Sequence, residues 1–187
     1  MKKLSLWIFV AGAAVATVLL ALMYPRVMPD PDFAEQGSLP GVANFGELTP
    51  QVWRGRAPDS EGLQTLRNMG VKTIIDFRTH GEHEGLEQDP DIEYIRLPFS
   101  ATDPPPQEVV DGFLAIVTDP DRLPVFFHCR YGKDRTGVMA ALYRIRVQGW
   151  EPEKAVREMK YFGFRAIYRS LLRFIRSQKP SKQLTGG

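Results

Sequence analysis

The longest apolar stretch of the chain lies near its N-terminus, where residues 4–23 carry no charge and follow Lys2 and Lys3. A helix of this length spans about 30 Å, the thickness of the hydrocarbon core of a bilayer. The stretch predicts either a cleaved signal segment or, because no small-residue cleavage site ends it, a retained transmembrane helix. Lysines before it favour a cytoplasmic N-terminus, so we expect a membrane-anchored chain whose remainder lies outside the cytoplasm, on the periplasmic side if bacterial.

Prolines and a change of pattern divide the rest of the chain. Residues 26–44 contain Pro29, Pro31 and Pro40 and few apolar positions, which predicts a semi-extended linker. Residues 45–180 show strand and helix patterns and predict one globular domain. The resulting divisions are an anchor or signal segment over 1–25, a linker over 26–44, the domain over 45–180 and a flexible tail over 181–187.

Within the domain, apolar residues switch between the spacing of strands and that of helices. The predicted strands cover residues 51–54, 71–77, 92–97 and 124–127. The predicted helices run from 58 to 70, from 106 to 117, from 136 to 148, onward from 152, and from 164 to 176. Alternating strands and helices predict an α/β fold with a mainly parallel central sheet flanked by helices.

Charge and cysteine content exclude several classes of function. The net charge of +2, with no long basic run, gives no reason to expect a nucleic-acid partner. A single cysteine, Cys129, permits neither an internal disulfide nor a metal site built from several cysteines. We therefore expect no metal ion and no cofactor.

The predicted strand at 124–127 leads through His128 and Cys129 into a short polar turn, and a helix begins near Arg135. In an open α/β sheet this junction binds ligands, because the first amides of the helix lack partners and favour an anion. The planar guanidinium of Arg135 can hold two oxygens of a phosphate at once. Thr136 is placed to donate its hydroxyl to the Cys129 sulfur.

The segment His128–Gly137, read as His-Cys, five residues, then Arg-Thr-Gly, resembles the signature of the cysteine-dependent protein tyrosine phosphatase superfamily, in its dual-specificity branch. Residues 52–58, 70–78 and 149–150 are also similar to small exported bacterial phosphatases of the TpbA type. The resemblance covers roughly residues 45 to 170. It implies a dual-specificity-phosphatase-like fold and a phosphatase that hydrolyses protein phosphotyrosine or phosphoserine and phosphothreonine through a phosphocysteine.

The resemblance also assigns roles to residues. It makes Cys129 the nucleophile and implies that His128 tunes its thiolate, while an aspartate from an upstream loop protonates the leaving group. Asp103 is the first candidate for that acid and Asp134, inside the phosphate loop, is the second. The expected substrate-binding residues are Arg130, Tyr131, Gly132, Lys133, Asp134 and Arg135.

The loop interior leaves the substrate open. Lys133 and Asp134 are more similar to relatives that act on phosphoinositides or have broad specificity. The expected partner is therefore a phosphorylated protein or a phosphoinositide, in addition to the membrane contacted through residues 4–23. The alternatives are a small-molecule phosphatase of the same fold, a sulfurtransferase with a similar cysteine loop, and a catalytically idle phosphate-binding module.

Overall fold

The computed structural model describes residues 30–79 and 91–181. The chain divides into two compact units, Met1–Asp32 and Phe33–Gly187, and only residues 30–32 of the first unit are described. All the strands and helices given below belong to the second unit.

A six-stranded sheet forms the centre of this unit. Its strands are β1 (Gly37–Leu39), β2 (Val42–Thr49), β3 (Val52–Arg56), β4 (Thr73–Asp76), β5 (Glu93–Arg96) and β6 (Val125–Cys129). Their order across the sheet is β1-β2-β3-β6-β4-β5. The strands β3, β6, β4 and β5 run parallel to one another. β2 is antiparallel to both of its neighbours, β1 and β3.

The sheet is therefore mixed, which corrects the prediction of a mainly parallel sheet at its N-terminal edge. The turns at Pro40–Gly41 and Pro50–Gln51 are two residues long, and a connection this short can join only antiparallel strands. Gly41 adopts a φ of +70°, as such turns favour. β1 and the start of β2 also lie inside residues 26–44, so the predicted linker contributes strands to the sheet.

Helices cover both faces of the sheet. They are α1 (Ser60–Asn68), α2 (Gln107–Val117), α3 (Asp134–Arg146), α4 (Pro152–Tyr161) and α5 (Arg169–Arg176). Side chains of α2 to α5 pack in the larger core, on the face that Phe127 and Cys129 occupy. Side chains of α1 pack with Phe126 in the smaller core. The presence of helices on both faces of the sheet agrees with the α/β fold expected from the sequence.

β6 lies between β3 and β4, and all five of its residues are buried. This position explains its uninterrupted apolar run, because a central parallel strand is covered on both faces. Cys129 ends the strand at the carboxyl edge of the sheet, where open α/β sheets bind their ligands. The fold therefore places the predicted loop at the expected edge.

The predicted transmembrane helix is not supported. Within residues 30–79 and 91–181, the structure contains no helix that is both long and apolar enough to cross a bilayer. This finding corrects the fold description that included such a helix, and with it the predicted membrane contact and location. The segment on which those predictions depended, residues 4–23, lies outside the described residues.

Candidate active site

Cys129 and Arg135 line the same small cavity, of about 140 Å³, at the junction of β6 and α3. The Cys129 side chain is almost completely buried, and Arg135 extends from the first turn of α3. The Arg135 Nη1 donates to the carbonyl oxygen of Phe77 at 3.2 Å, which fixes the guanidinium beside the cavity. The other residues that line the cavity are Ala101, Arg130, Tyr131, Asp134 and Arg165.

Gly132 lets the loop lie against the sheet. Its φ is +68°, a conformation that L side chains rarely adopt. A Cβ at this position would also lie 2.5 Å from the carbonyl carbon of Gly55, in the backbone of β3. Both the backbone conformation and the close approach therefore require glycine here. The predicted binding residue Gly132 shapes the loop through its missing side chain.

Asp134 is bonded to Arg165. One carboxylate oxygen accepts the backbone N–H of Arg165 at 3.0 Å, and the other accepts Nε and Nη2 of the same residue at 3.0 and 2.7 Å. The carboxylate is buried and the guanidinium is about half exposed. Three hydrogen bonds from Arg165 occupy both oxygens of this carboxylate, so Asp134 is poorly placed to reach a leaving group.

Arg130 and Tyr131 are exposed residues of the loop and lie at the rim of the cavity. Tyr131 is 49% exposed, and the Arg130 guanidinium lies 5.3 Å from the centre of its ring. Lys133 is also exposed, but it does not line the cavity, and its aliphatic stem passes beside Gly163. The rim therefore presents a cation and an aromatic ring beside the entrance to the cavity.

Asp103, the first candidate for the acid, lies in an exposed loop after β5. Its Oδ2 accepts hydrogen bonds from the hydroxyls of Ser100 and Thr102, both at 2.9 Å. Ala101, two residues earlier, lines the cavity, whereas Asp103 is not among the lining residues. The hydroxyl of Ser170 donates to the Thr102 carbonyl at 2.6 Å and connects this loop to α5. The structure thus brings the loop, but not its carboxylate, to Cys129.

Thr136 and His128 lie on the buried side of the site. The Thr136 hydroxyl is fully buried and has no hydrogen-bond partner in the described part of the chain, so the predicted bond to the Cys129 sulfur is absent. The His128 Nε2 lies 3.3 Å from the Tyr94 hydroxyl, and its Nδ1 lies 3.7 Å from Asp76 Oδ1. His128 therefore joins a polar network behind the cysteine.

Asp76 is the centre of that network. It accepts hydrogen bonds from the backbone and Nε of Arg78 at 2.8 and 3.0 Å and from the Tyr94 hydroxyl at 3.0 Å. Burial alone would raise the pKa of Asp76, but the charge of His128 and the bonds from Arg78 together lower it to about 2. Burial and the neighbouring Asp76 raise the pKa of Tyr94. Tyr94 therefore remains a neutral donor.

The family comparison agrees with this geometry. Residues 42–172 match the family model described as DSP-PTPase phosphatase fused to NAD+ kinase, which is more than half of the chain. The chain belongs to the dual-specificity branch of the cysteine-dependent protein tyrosine phosphatases. The matched region contains the sheet from β2 onward, the phosphate loop and α3.

Individual relatives support the same family. The dual specificity protein phosphatase TpbA of Pseudomonas aeruginosa is 32% identical over 121 residues, which are 65% of this chain and 55% of the relative. The chain thus spans about half the length of that curated relative. A solved structure of a cysteine-to-serine variant of TpbA in complex with phosphotyrosine is 28% identical, with a TM-score of 0.67, over 80% of this chain and 92% of the other.

A third relative is named for a different activity. An inositol diphosphatase of Arabidopsis thaliana is 29% identical over 114 residues, which are 57% of this chain and 55% of the relative. Dual-specificity phosphatase relatives of this chain therefore include proteins named for protein and for inositol substrates.

The Asp76 network should make the stability of this phosphatase domain depend on pH. The folded pKa of about 2 lies below the ordinary aspartate value of 3.8. The contribution of Asp76 is therefore complete above about pH 4 and is lost as the pH falls toward 2. It amounts to about 2 kcal/mol of unfolding free energy, of which roughly half is lost by pH 3. Urea unfolding should show that the unfolding free energy falls more between pH 6 and pH 3 in the parent than in Asp76→Asn. Equal decreases in the two proteins would contradict this assignment.

Proposed function

We propose that this chain hydrolyses phosphate monoesters through a phosphocysteine intermediate, with phosphotyrosine in proteins as the main substrate and phosphoserine or phosphothreonine as further ones. The observation that carries the proposal is the shared cavity of Cys129 and Arg135 at the end of β6. A thiol nucleophile and a bidentate phosphate ligand in one small cavity are the two groups that the reaction needs.

The proposed reaction has two steps. The Cys129 sulfur attacks phosphorus in line, the phosphorus–oxygen bond to the leaving group breaks, and an acid donates a proton to the departing oxygen. Water then attacks the phosphocysteine, the phosphorus–sulfur bond breaks, and the thiolate returns. Loop amides and Arg135 stabilise the oxygens of the transferred phosphoryl group in both steps. This scheme contains no metal ion.

We assign the acid to Asp103. Its carboxylate is exposed, and within the described residues it is held by two hydroxyls of its own loop. A small movement of this loop onto a bound substrate would carry Asp103 toward the leaving oxygen, because Ala101 already borders the cavity. Asp134 is the weaker candidate because its carboxylate is held by Arg165. Asp103 would also act as the base that activates water in the second step.

The preference for phosphotyrosine rests on the rim. The ring of Tyr131, half exposed and supported by Arg130, can stack on the phenyl ring of a substrate whose phosphate enters the cavity. The TpbA variant bound to phosphotyrosine supports this choice. The cations Arg130 and Lys133 favour a second candidate, an inositol phosphate or phosphoinositide, and the inositol diphosphatase relative supports it.

A substrate panel tests the proposal on the full chain. The panel contains a phosphotyrosine peptide, a phosphoserine peptide, a phosphoinositide and an inositol pyrophosphate, with kcat/KM measured for each. We expect the highest value for the phosphotyrosine peptide. A higher value for an inositol substrate would replace the first candidate by the second. Turnover of no substrate above the level of Cys129→Ser would exclude a phosphatase and favour the idle binding module.

A further inference from the structure

Two side chains from outside the phosphate loop donate to one of its carbonyl groups. Arg54 in β3 is completely buried, and its Nη2 donates to the carbonyl oxygen of Gly132 at 2.7 Å. Asn44 in β2 donates from Nδ2 to the same oxygen at 2.8 Å. A carbonyl oxygen accepts two hydrogen bonds at most in this manner, so both of its lone pairs are used.

Sterics restrain this peptide group only weakly on its Gly132 side. Gly132 has no Cβ, so its backbone is far less restricted than that of other residues. Lys133 has a φ of −103°, and reversing the peptide would bring that angle into the positive region that a lysine disfavours. The hydrogen bonds from Arg54 and Asn44 add to this preference and stabilise the observed orientation.

The orientation of this peptide group matters because it determines where the Lys133 N–H points. The bond between Gly132 and Lys133 is trans, so the Gly132 carbonyl and the Lys133 N–H point in opposite directions. With the carbonyl turned toward buried Arg54, the Lys133 N–H points away from Arg54. A reversed peptide would instead present a carbonyl oxygen there, which repels an anion.

We propose that Arg54 and Asn44 are positioning residues of the phosphatase reaction, which hold the Gly132–Lys133 peptide so that the Lys133 amide faces the bound phosphate. The inference deepens the proposed function and rests on it, since it concerns the same phosphate. Neither residue touches the substrate, and each acts through the loop backbone.

The surroundings of Arg54 fit this role. Its guanidinium lies 4.0 Å from the centre of the Phe162 ring. Burial lowers the pKa of Arg54 to about 10, against the opposing charges of Glu158 and Cys129, so the group remains a cation at neutral pH. A cationic donor makes a stronger bond to the carbonyl than a neutral one would.

Kinetics of three variants of the full chain provide the first test. Arg54→Met keeps an apolar stem against Phe162 and removes the donors. Asn44→Gly removes the second donor, and glycine tolerates the φ of +53° found at this position. The matched control is Arg144→Met. Arg144 is also buried, donates to a carbonyl (Leu48, 3.1 Å) and lies 4.2 Å from the centre of an aromatic ring. Its hydrogen bonds among the described residues are to Glu158, Leu48 and Gln148 and not to the phosphate loop.

We expect Arg54→Met to raise both the KM for p-nitrophenyl phosphate and the inhibition constant of inorganic phosphate by about 10- to 100-fold, the range of a hydrogen bond to a charged group. Asn44→Gly should raise both by a smaller factor. In Arg144→Met both constants should equal those of the parent, because loss of folded protein lowers kcat alone. Unchanged constants in Arg54→Met and Asn44→Gly would overturn the proposal.

A second test needs no turnover. The backbone amide resonance of Lys133 is followed by NMR while inorganic phosphate is added to Cys129→Ser, with and without Asn44→Gly. The resonance should shift at saturation in Cys129→Ser and require a higher phosphate concentration in the double variant. A Lys133 amide that does not respond to bound phosphate would overturn the inference. A response in a chain that hydrolyses no substrate would uphold the inference about the loop and refute the proposed hydrolysis instead.

Discussion

Replacing Cys129 with serine is expected to lower the hydrolysis of p-nitrophenyl phosphate to below about 10⁻³ of the parent rate. A serine hydroxyl is not ionised at neutral pH and is a much weaker nucleophile than a cysteine thiolate. The change exchanges sulfur for the smaller oxygen at one nearly buried position and leaves the rest of the larger core as it is. Steady-state kinetics on the full chain at matched protein concentration provide the measurement.

Cys129→Ser must still bind phosphate if its lost turnover is to identify the nucleophile. Calorimetric titration with inorganic phosphate should give an affinity within a few-fold of the parent, because Arg135 and the loop amides are unchanged. Retained binding with lost turnover identifies the sulfur as the nucleophile. Turnover above a tenth of the parent rate would show that another group attacks phosphorus.

Asp103→Asn should have the second largest effect, a loss of about 10²- to 10⁴-fold, the usual contribution of a positioned general acid. The loss should depend on the leaving group. An alkyl phosphate, whose departing oxygen needs a proton, should lose the most, and p-nitrophenyl phosphate should lose the least. The limb of the pH–rate profile that reports the acid should disappear. Initial rates across pH with both substrates measure these effects.

Two variants serve as controls for this prediction. Asp111→Asn changes an exposed aspartate of α2 that bonds only Gln107 in the described structure, and it should leave all rates unchanged. Asp134→Asn weakens the bonds to Arg165 and should reduce phosphate affinity without changing the dependence on the leaving group. If instead Asp134→Asn removes the acid limb and Asp103→Asn does not, the two assignments must be exchanged.

The parts of the site that were predictable from the sequence are local ones. The spacing of Cys129, Gly132 and Arg135 lies within a single strand–turn–helix unit, and apolar residues before and after it define the two elements. The structure gives β6 as Val125–Cys129 and α3 as Asp134–Arg146, within two residues of the predicted starts and ends. Local patterns of this kind contain the information that fixes a short loop.

The parts that were not predictable depend on distant contacts. Asn44 and Arg54 are 88 and 78 residues from Gly132 in the sequence, and Arg165 is 31 residues from Asp134. An arginine in a strand usually indicates an exposed position, yet Arg54 is buried because β3 lies inside the sheet. No periodicity or spacing signals such pairs. The register of the strands brings Asn44 and Arg54 to the loop, and the segment between α4 and α5 brings Arg165 to Asp134.

The last helix gives a smaller example of the same limit. Its apolar pattern predicted a start near residue 164, but α5 begins at Arg169. Gly163 has a φ of +84°, and the backbone N–H of Arg165 is bonded to Asp134, so the intervening segment forms a turn at the active site. The tertiary contact outweighs a helical preference in the sequence.

The two donors on the Gly132 carbonyl also limit how far the phosphate loop can be moved to another protein. The ten residues from His128 to Gly137 look self-contained in the sequence, but part of their shape is held by side chains from β2 and β3. Grafting them onto a different strand and helix would transfer the nucleophile and the arginine without the contacts that orient the backbone between them. For this fold, a portable unit would have to include at least β2 and β3 in addition to β6 and α3.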